Sequence, residues 1–333
     1  MDPLDITDKD RLFAMLAQRR KGKARVIDET EMNRSLKTRV QGQDHIIEDL
    51  CRFIRLQWGK EQRAKPIANL LFVGPPATGK TELAKAMAEY LFDDEKNMLR
   101  FDCSEFSGSE GKTRLIGTPT GYAGSSQGGQ LTRPMFSNPK RLVLFDEIEK
   151  AYAGVFDLML SLMGEGRLTE QGSGNVADFT QSVIVLTSNA AHEEIGRLAN
   201  QIDDAFELGN AVRNVLKNAK TFRPEIISRF DHIYVFKPLD ESTKARIAGI
   251  KIARSGREYG VEIRHIAPEL VLDILSLADE EQDARGLARI VDAKLGCLLL
   301  EAKEAGFERI NIDVNDAGLP VVVEADDDGG DQR

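Results

Sequence analysis

From about residue 40 onward, short apolar runs alternate with stretches whose apolar residues recur at helical spacing. Residues 70–73, 99–101, 142–145, 183–186 and 233–236 form five such runs, most of them apolar at both odd and even positions. Runs of that kind are expected of strands covered on both faces, as in a parallel sheet between helices. The pattern predicts a doubly wound α/β domain with a five-stranded parallel sheet. Pro238 closes the last run. Residues 240–305 then read as mostly helical, with a short strand pair near 310–314 and 321–323. The expected division is an N-terminal appendage at 1–38, a large domain at 39–239, a small, mostly helical C-terminal domain at 240–323, and an acidic disordered tail at 324–333.

In the appendage, Thr7 and Asp10 fit a capping box followed by Leu12, Phe13, Met15 and Leu16 at helical spacing. A basic run follows (Arg19, Arg20, Lys21, Lys23, Arg25), and then the acids Asp28, Glu29 and Glu31. The run suits a partner-binding or nucleic-acid arm, or simply a solvated helix end. A chain of 333 residues with 41% hydrophobic and 30% charged residues is ordinary for a globular protein with two modest cores. The net charge of -9 argues against broad nucleic-acid binding, which needs a basic surface. Cys51, Cys103 and Cys297 are scattered and unpaired in pattern, as are the four histidines, so reduced thiols and no zinc site are expected. No run approaches the roughly 20 apolar residues of a membrane span, and the acidic start does not resemble a signal peptide. A cytoplasmic location without membrane contact is the expectation.

Residues 74–81 read GPPATGKT, between the first apolar run and a helical pattern through Leu83, Met87 and Leu91. That context makes the GxxxxGK[ST] spacing a phosphate-binding loop. Backbone N–H groups wrap the phosphates and the helix N-terminus adds its positive end. The expected contacts run through Gly74, Pro75, Pro76, Ala77, Thr78, Gly79, Lys80, Thr81 and Glu82. Lys80 holds the β- and γ-phosphates of ATP, and Thr81 ligates Mg2+. Residues 142–147, LVLFDE, end an apolar run in two acids: Asp146 for Mg2+ and Glu147 to orient and activate the attacking water. The next run, SVIVLTSN, ends at Asn189, an amide suited to bridge that water and the γ-phosphate.

In this order and wording the chain resembles the second ATPase module of Clp-type unfoldases and disaggregases, the heat-shock-protein-100 class of AAA+ proteins. The likeness spans about residues 36–315. It includes TELAKAMAE (81–89), FDCSEF (101–106), RLIGTPTGYAG (114–124), GGQLT (128–132), LFDEIEKA (144–151), GRLT (166–169), FRPEIISRFD (222–231) and DARGL (283–287). The resemblance implies an AAA+ P-loop fold with a C-terminal lid. It makes Arg229 an arginine finger directed at the neighbouring subunit's nucleotide, Arg285 the lid arginine, and Val40 and Gln41 part of the adenine pocket. Tyr122 becomes the pore-loop aromatic that grips a threaded polypeptide, and residues 165–175 a second pore loop. The chain departs from the family at Asp283, which replaces a glycine, at Gln41, which replaces an apolar residue, and at Ser125, Ser126 and Gln127 after Tyr122, where aromatic and acidic residues are usual. Where protease-coupled relatives carry Ile-Gly-Phe or Ile-Gly-Leu, this chain has Ile195, Gly196 and Arg197, which fits a hydrophobic socket poorly.

The expectation is therefore an ATP hydrolase that forms a single homo-hexameric ring and remodels a protein client without an attached protease. Residues 1–38 are the candidate dock for an adaptor. The alternatives are a nucleic-acid-directed loader or regulator and a nucleotide-gated assembly scaffold. The acidic charge disfavours the first; intact Glu147 and Arg229 disfavour the second.

Overall fold

A computed structural model describes residues 26–122, 124–218, 222–280, 286–315 and 319–325. The Thr7 capping box, the basic run ending at Arg25, Asp283 and Arg285, and the tail beyond residue 325 lie outside the described residues. Among the described residues the helices are α1 (Glu29–Arg39), α2 (Asp44–Trp58), α3 (Lys80–Phe92), α4 (Gly111–Ile116), α5 (Thr132–Ser137), α6 (Ala153–Glu165), α7 (His192–Ala199), α8 (Ala205–Asn218), α9 (Pro224–Ile227), α10 (Glu241–Tyr259), α11 (Pro268–Glu280) and α12 (Gly286–Glu304). The strands are β1 (Ala68–Val73), β2 (Met98–Asp102), β3 (Leu142–Asp146), β4 (Arg167–Thr169), β5 (Val176–Asp178), β6 (Val183–Ser188), β7 (His232–Val235), β8 (Glu262–Ile266), β9 (Arg309–Val314) and β10 (Pro320–Glu324). They fall into two compact units. One joins the described chain up to Gly74 with Lys80–Phe236; the other joins Pro75–Gly79 with the chain from Lys237 onward.

The first unit holds the expected five-stranded sheet, in the order β2-β3-β6-β1-β7, with every pairing parallel. Successive residues along β1, β3, β6 and β7 enter opposite cores. Leu71, Val73, Val143, Phe145, Ile184 and Leu186 pack on one face with α6 to α9. Leu70, Phe72, Leu142, Leu144, Val183 and Val185 pack on the other with α1, α2 and α3. This double burial is why the strands read as unbroken apolar runs rather than alternating ones.

Residues 26–38 belong to this core, although the hydrophobic pattern had assigned them to an appendage. Asp28 caps α1 by accepting from the Thr30 and Glu31 amides at 2.9 and 3.0 Å. Glu29 and Glu31 then occupy the first turn, and Lys37 and Arg39 the last, matching the helix dipole. Met32 and Leu36, one turn apart, are fully buried. The acids after the basic run are thus a helix start.

In the second unit, α10, α11 and α12 pack around Ile252, Ile274, Val291, Leu295, Ile310 and Ile312. The expected pair β9–β10 is antiparallel, and β8 joins β9 in parallel, so a strand lies inside the stretch read as helical. Residues 165–175, expected as a loop, likewise include β4 of the antiparallel β4–β5 hairpin.

Because Leu36 is fully buried in the core that α1 shares with α2 and α3, Leu36→Ala is expected to cost about 2–5 kcal/mol. The check is urea unfolding followed by the fluorescence of Trp58, the single tryptophan, whose ring lies 5.7 Å from that of Phe92 in the same unit. A midpoint unchanged by the substitution would mean that α1 is a detachable appendage.

Candidate functional site

The loop after β1 has an unusual backbone. Gly74 has φ 141°, Ala77 61° and Gly79 101°. A Cβ on Gly74 would lie 2.4 Å from the Phe236 carbonyl oxygen, so only glycine fits where β1 turns out of the sheet. Thr78 closes the turn by donating its hydroxyl to the Pro75 carbonyl at 2.9 Å. Lys80 opens α3 and is 7% exposed, its ammonium 2.8 Å from the Gly74 carbonyl.

The two acids expected to serve the site, Asp146 and Glu147, follow one another at the end of β3 in the same sheet. Asp146 ends β3 and is 4% exposed. Arg100 donates to its Oδ2 through Nη2 at 2.7 Å and Nε at 3.2 Å. The Thr187 hydroxyl donates to Oδ1 at 2.5 Å, and Thr81 donates to Oδ2 at 3.3 Å. Glu147 follows in the left-handed conformation, φ 56° and ψ 51°. For a residue with a side chain that backbone costs about 1–2 kcal/mol and is typical of functional turns. The Glu147 amide donates to the Thr187 hydroxyl at 3.0 Å, so Thr187 fixes both acids at once. Lys150 donates to Glu147 Oε2 at 2.6 Å, and that hydrogen bond raises the pKa of the ammonium.

Asn189 completes the group. Its side-chain amide donates to Glu147 Oε1 at 3.3 Å, and its backbone N–H to Glu149 Oε1 at 3.0 Å. Asn189 Oδ1 and Glu149 Oε2 are buried with no hydrogen-bond partner in the structure. Buried polar atoms left unpaired are costly. An unpaired acceptor beside a carboxylate, with the Thr81 hydroxyl on the neighbouring acid, suits a hydrated metal–phosphate ligand. The residues present therefore fit a magnesium nucleotide.

The remaining expected residues are more dispersed. The Glu82 carboxylate is taken up by Arg39 (Nε to Oε1, 3.0 Å), which also pairs with Glu89 and Glu95. Val40 lies in the core, and the Gln41 amide returns to the Lys37 carbonyl at 2.5 Å. Arg229 is exposed just past α9, its guanidinium against Gly164 of α6. Arg213 of α8 holds that segment by donating to the Ile227 and Phe230 carbonyls at 2.7 and 2.8 Å. Tyr122 is 70% exposed between Gly121 and Gly124, both at positive φ. Ile195 is buried within α7, so it is a core residue of a helix. Burial pushes the Cys51 thiol up to about 12 and raises that of Cys103; Cys297 is exposed.

Sequence reasoning passed over Arg100, Thr187, Glu149, Lys150 and Arg213. Thr187 carried a signal, since it stands next to last before Asn189 at the polar end of an apolar strand. Arg100 carried only its place on β2, where Asp102 pairs in register with Asp146. Among the described residues no helix is long and apolar enough to cross a membrane.

The family model for the AAA domain (Cdc48 subfamily) matches residues 65–233. The chain is 36% identical over 299 residues to Chaperone protein ClpB of Streptomyces albus G, covering 87% of this chain and 34% of that protein. It is 36% identical over 311 residues to Chaperone protein ClpC3, chloroplastic, of Oryza sativa subsp. japonica, covering 90% and 32%. Against Heat shock protein 100 of Trypanosoma brucei brucei the identity is 43% over 206 residues, 61% of this chain and 23% of the relative. The chain thus spans about a third or less of these relatives. With its loop, strand order and acids in place, it belongs to the AAA domain family (Cdc48 subfamily), as an AAA+ ATPase module of the Clp/heat-shock-protein-100 class.

Proposed function

We propose that this chain assembles into a homo-hexameric ring, hydrolyses ATP at subunit boundaries, and uses the Tyr122 loops to pull a protein client through the ring. The observation that carries the reading is Tyr122 itself. A bulky aromatic is left 70% exposed on a glycine-flanked turn where a Cβ on Gly121 or Gly124 would meet nothing within 4 Å, and among the described residues no packing partner accounts for its ring. An aromatic ring offers a large apolar contact with few rotatable bonds, suited to gripping any chain regardless of sequence.

The 74–81 loop and Lys80 hold the phosphates, and Thr81 with Asp146 holds Mg2+, which offsets phosphate charge. Glu147, steadied by Asn189, orients the attacking water and accepts its proton at a side-chain oxygen. The guanidinium of Arg229 is fixed by its packing on Gly164 and directed at a neighbour's γ-phosphate, where it offsets developing charge. By the resemblance, Val40 and Gln41 contribute to the adenine pocket and Arg285 is the lid arginine. Of residues 1–38, the expected dock for an adaptor, the segment before α1 serves that role, since residues 26–38 pack into the core. The burial of Ile195 supports a reading without protease docking. The names of the ClpB and heat-shock-protein relatives support a chaperone-like task.

Lys80→Ala is expected to abolish nucleotide binding, whereas Glu147→Gln keeps binding and loses turnover by at least about a hundredfold, the scale of a general base. Binding of a fluorescent ATP analogue and phosphate release measure the two. Near-normal turnover in Glu147→Gln would reject the assignment.

Mixing Arg229→Ala with Lys80→Ala subunits is expected to restore at least about tenfold more ATPase activity than either alone, since a finger supplied in trans is worth 10³-fold or more. Steady-state phosphate release across mixing ratios is the measurement. A monomer hydrolysing at full rate would overturn the shared site.

Tyr122→Ala should leave ATP hydrolysis within a few-fold of normal and remove unfolding of a fluorescent protein bearing an unstructured tail, while Tyr122→Phe is tolerated. Equal unfolding by wild type and Tyr122→Ala would sink the threading mechanism. If the loop matters instead for binding DNA or RNA, the chain is a nucleic-acid motor.

A further inference from the structure

The loop that carries Tyr122 is closed at its neck by a buried carboxylate from the next hairpin. Glu170 follows β4 and is 6% exposed. Its main chain belongs to the hairpin: its amide donates to the Asn175 carbonyl at 2.8 Å, and its carbonyl accepts from Gly174 at 2.9 Å. Its side chain reaches the other loop. Oε1 accepts from the Gly129 amide at 2.9 Å and the Thr132 hydroxyl at 3.1 Å, and Oε2 accepts from Ser173 at 2.5 Å. Burial alone would raise the pKa of this carboxyl, but the hydrogen bonds from Ser173, Gly129 and Thr132 outweigh it and hold the group below its usual range.

Both ends of the Tyr122 loop lie against this one side chain. A Cβ on Gly117, where α4 ends, would meet Glu170 Cγ at 3.4 Å, and one on Gly128 would meet Oε1 at 2.8 Å. Both glycines have positive φ, 87° and 72°, so the chain turns sharply on entering and leaving the loop. Three further contacts join the two segments. The Gln171 amide donates to the Ile116 carbonyl at 2.8 Å, and Thr120 donates to the Gly172 carbonyl at 2.9 Å. Gly172 also sits so close to the Ser125 carbonyl that a Cβ there would lie 2.4 Å away.

From this geometry we propose that Glu170 is a positioning residue that locks the Tyr122 loop to the β4–β5 hairpin, so that the two present themselves to a client as one body. A tip as bare as Tyr122 can transmit force only if its base is stiff, and charge-assisted hydrogen bonds shielded from water supply that stiffness. The proposal rests on the reading of Tyr122 as the gripping residue.

The test uses the full chain with ATP and compares wild type, Glu170→Ala, Glu170→Gln and Thr132→Val. Amide hydrogen exchange over peptides covering residues 117–129 is the first readout. Loss of hydrogen bonds to a charged group should speed exchange there by about tenfold or more in Glu170→Ala. Glu170→Gln, which keeps an acceptor of the same reach, should recover most of the protection, and Thr132→Val should fall between. Unfolding of the tailed fluorescent protein should drop in parallel with loop protection, while basal ATPase stays within a few-fold. Unchanged exchange over 117–129 in Glu170→Ala overturns the proposal; should that variant not fold, unchanged exchange in the near-isosteric Thr132→Val overturns it. So does a loosened loop with undiminished client unfolding in a protein whose Tyr122→Ala form is inactive. If Tyr122→Ala itself unfolds the client normally, the gripping reading fails, and the exchange result alone decides whether Glu170 locks the loop.

Discussion

Parallel pairing of β3 with β6, Phe145 opposite Leu186, brings Asp146 level with Thr187, and the rest of the site hangs on that register. A hydroxyl can donate once and accept at the same time. Thr187 donates to the Asp146 carboxylate and accepts the Glu147 amide, so one side chain sets the direction of one acid and the backbone of the next. A slip of one residue would move the apolar residues of β3 to the wrong faces and separate this trio. Because both faces of the sheet are buried, such a slip is costly on two sides.

The charges are arranged to make a buried acid tolerable. Asp146 at 4% exposure would be expensive to ionise without compensation. Arg100, two hydroxyls and the end of the sheet provide it. Glu147, one residue on, is more open and pairs with the exposed ammonium of Lys150. The buried acid is held still and the outer one is more open, which suits the proposed roles of metal ligand and base.

Much of this was legible in the sequence, and the exceptions share a cause. The strands β1, β3, β6 and β7 announced themselves because both their faces are buried, and the phosphate loop because its glycines are demanded by backbone geometry, as at Gly74. The β8 strand did not, because its residues are half-buried or exposed and so too polar to form an apolar run. The β4 and β5 strands are three residues each, too short for any period to register. The α1 helix was taken for an appendage because only Met32 and Leu36 of its residues are buried, and a basic run precedes it. Arg100 and Arg213 do their work on carboxylate and carbonyl partners distant in sequence, which no local pattern encodes. Roles assigned by resemblance to Arg285 lie where the structure offers no description.

The proposed mechanism, in which hydrolysis moves Tyr122, requires the acids and the loop to be mechanically contiguous, since coupling travels through packed elements with discrete arrangements. The chain leaves Glu147 through the turn Ile148–Lys150, and the Tyr152 amide then donates to the Phe106 carbonyl at 2.9 Å. Phe106, Ile148, Leu115 and Ile116 share one core, and α4 ends at Gly117, where the Tyr122 loop begins. Leu131 and Gln130 return from the loop to the Leu115 and Arg114 carbonyls at 2.9 Å. A dense core, which resists local deformation, therefore joins the Glu147 turn to the base of the loop. In the proposed threading mechanism, the glycines at the tip would let Tyr122 adapt to what it touches, and the closed neck would keep that adaptation from absorbing the stroke.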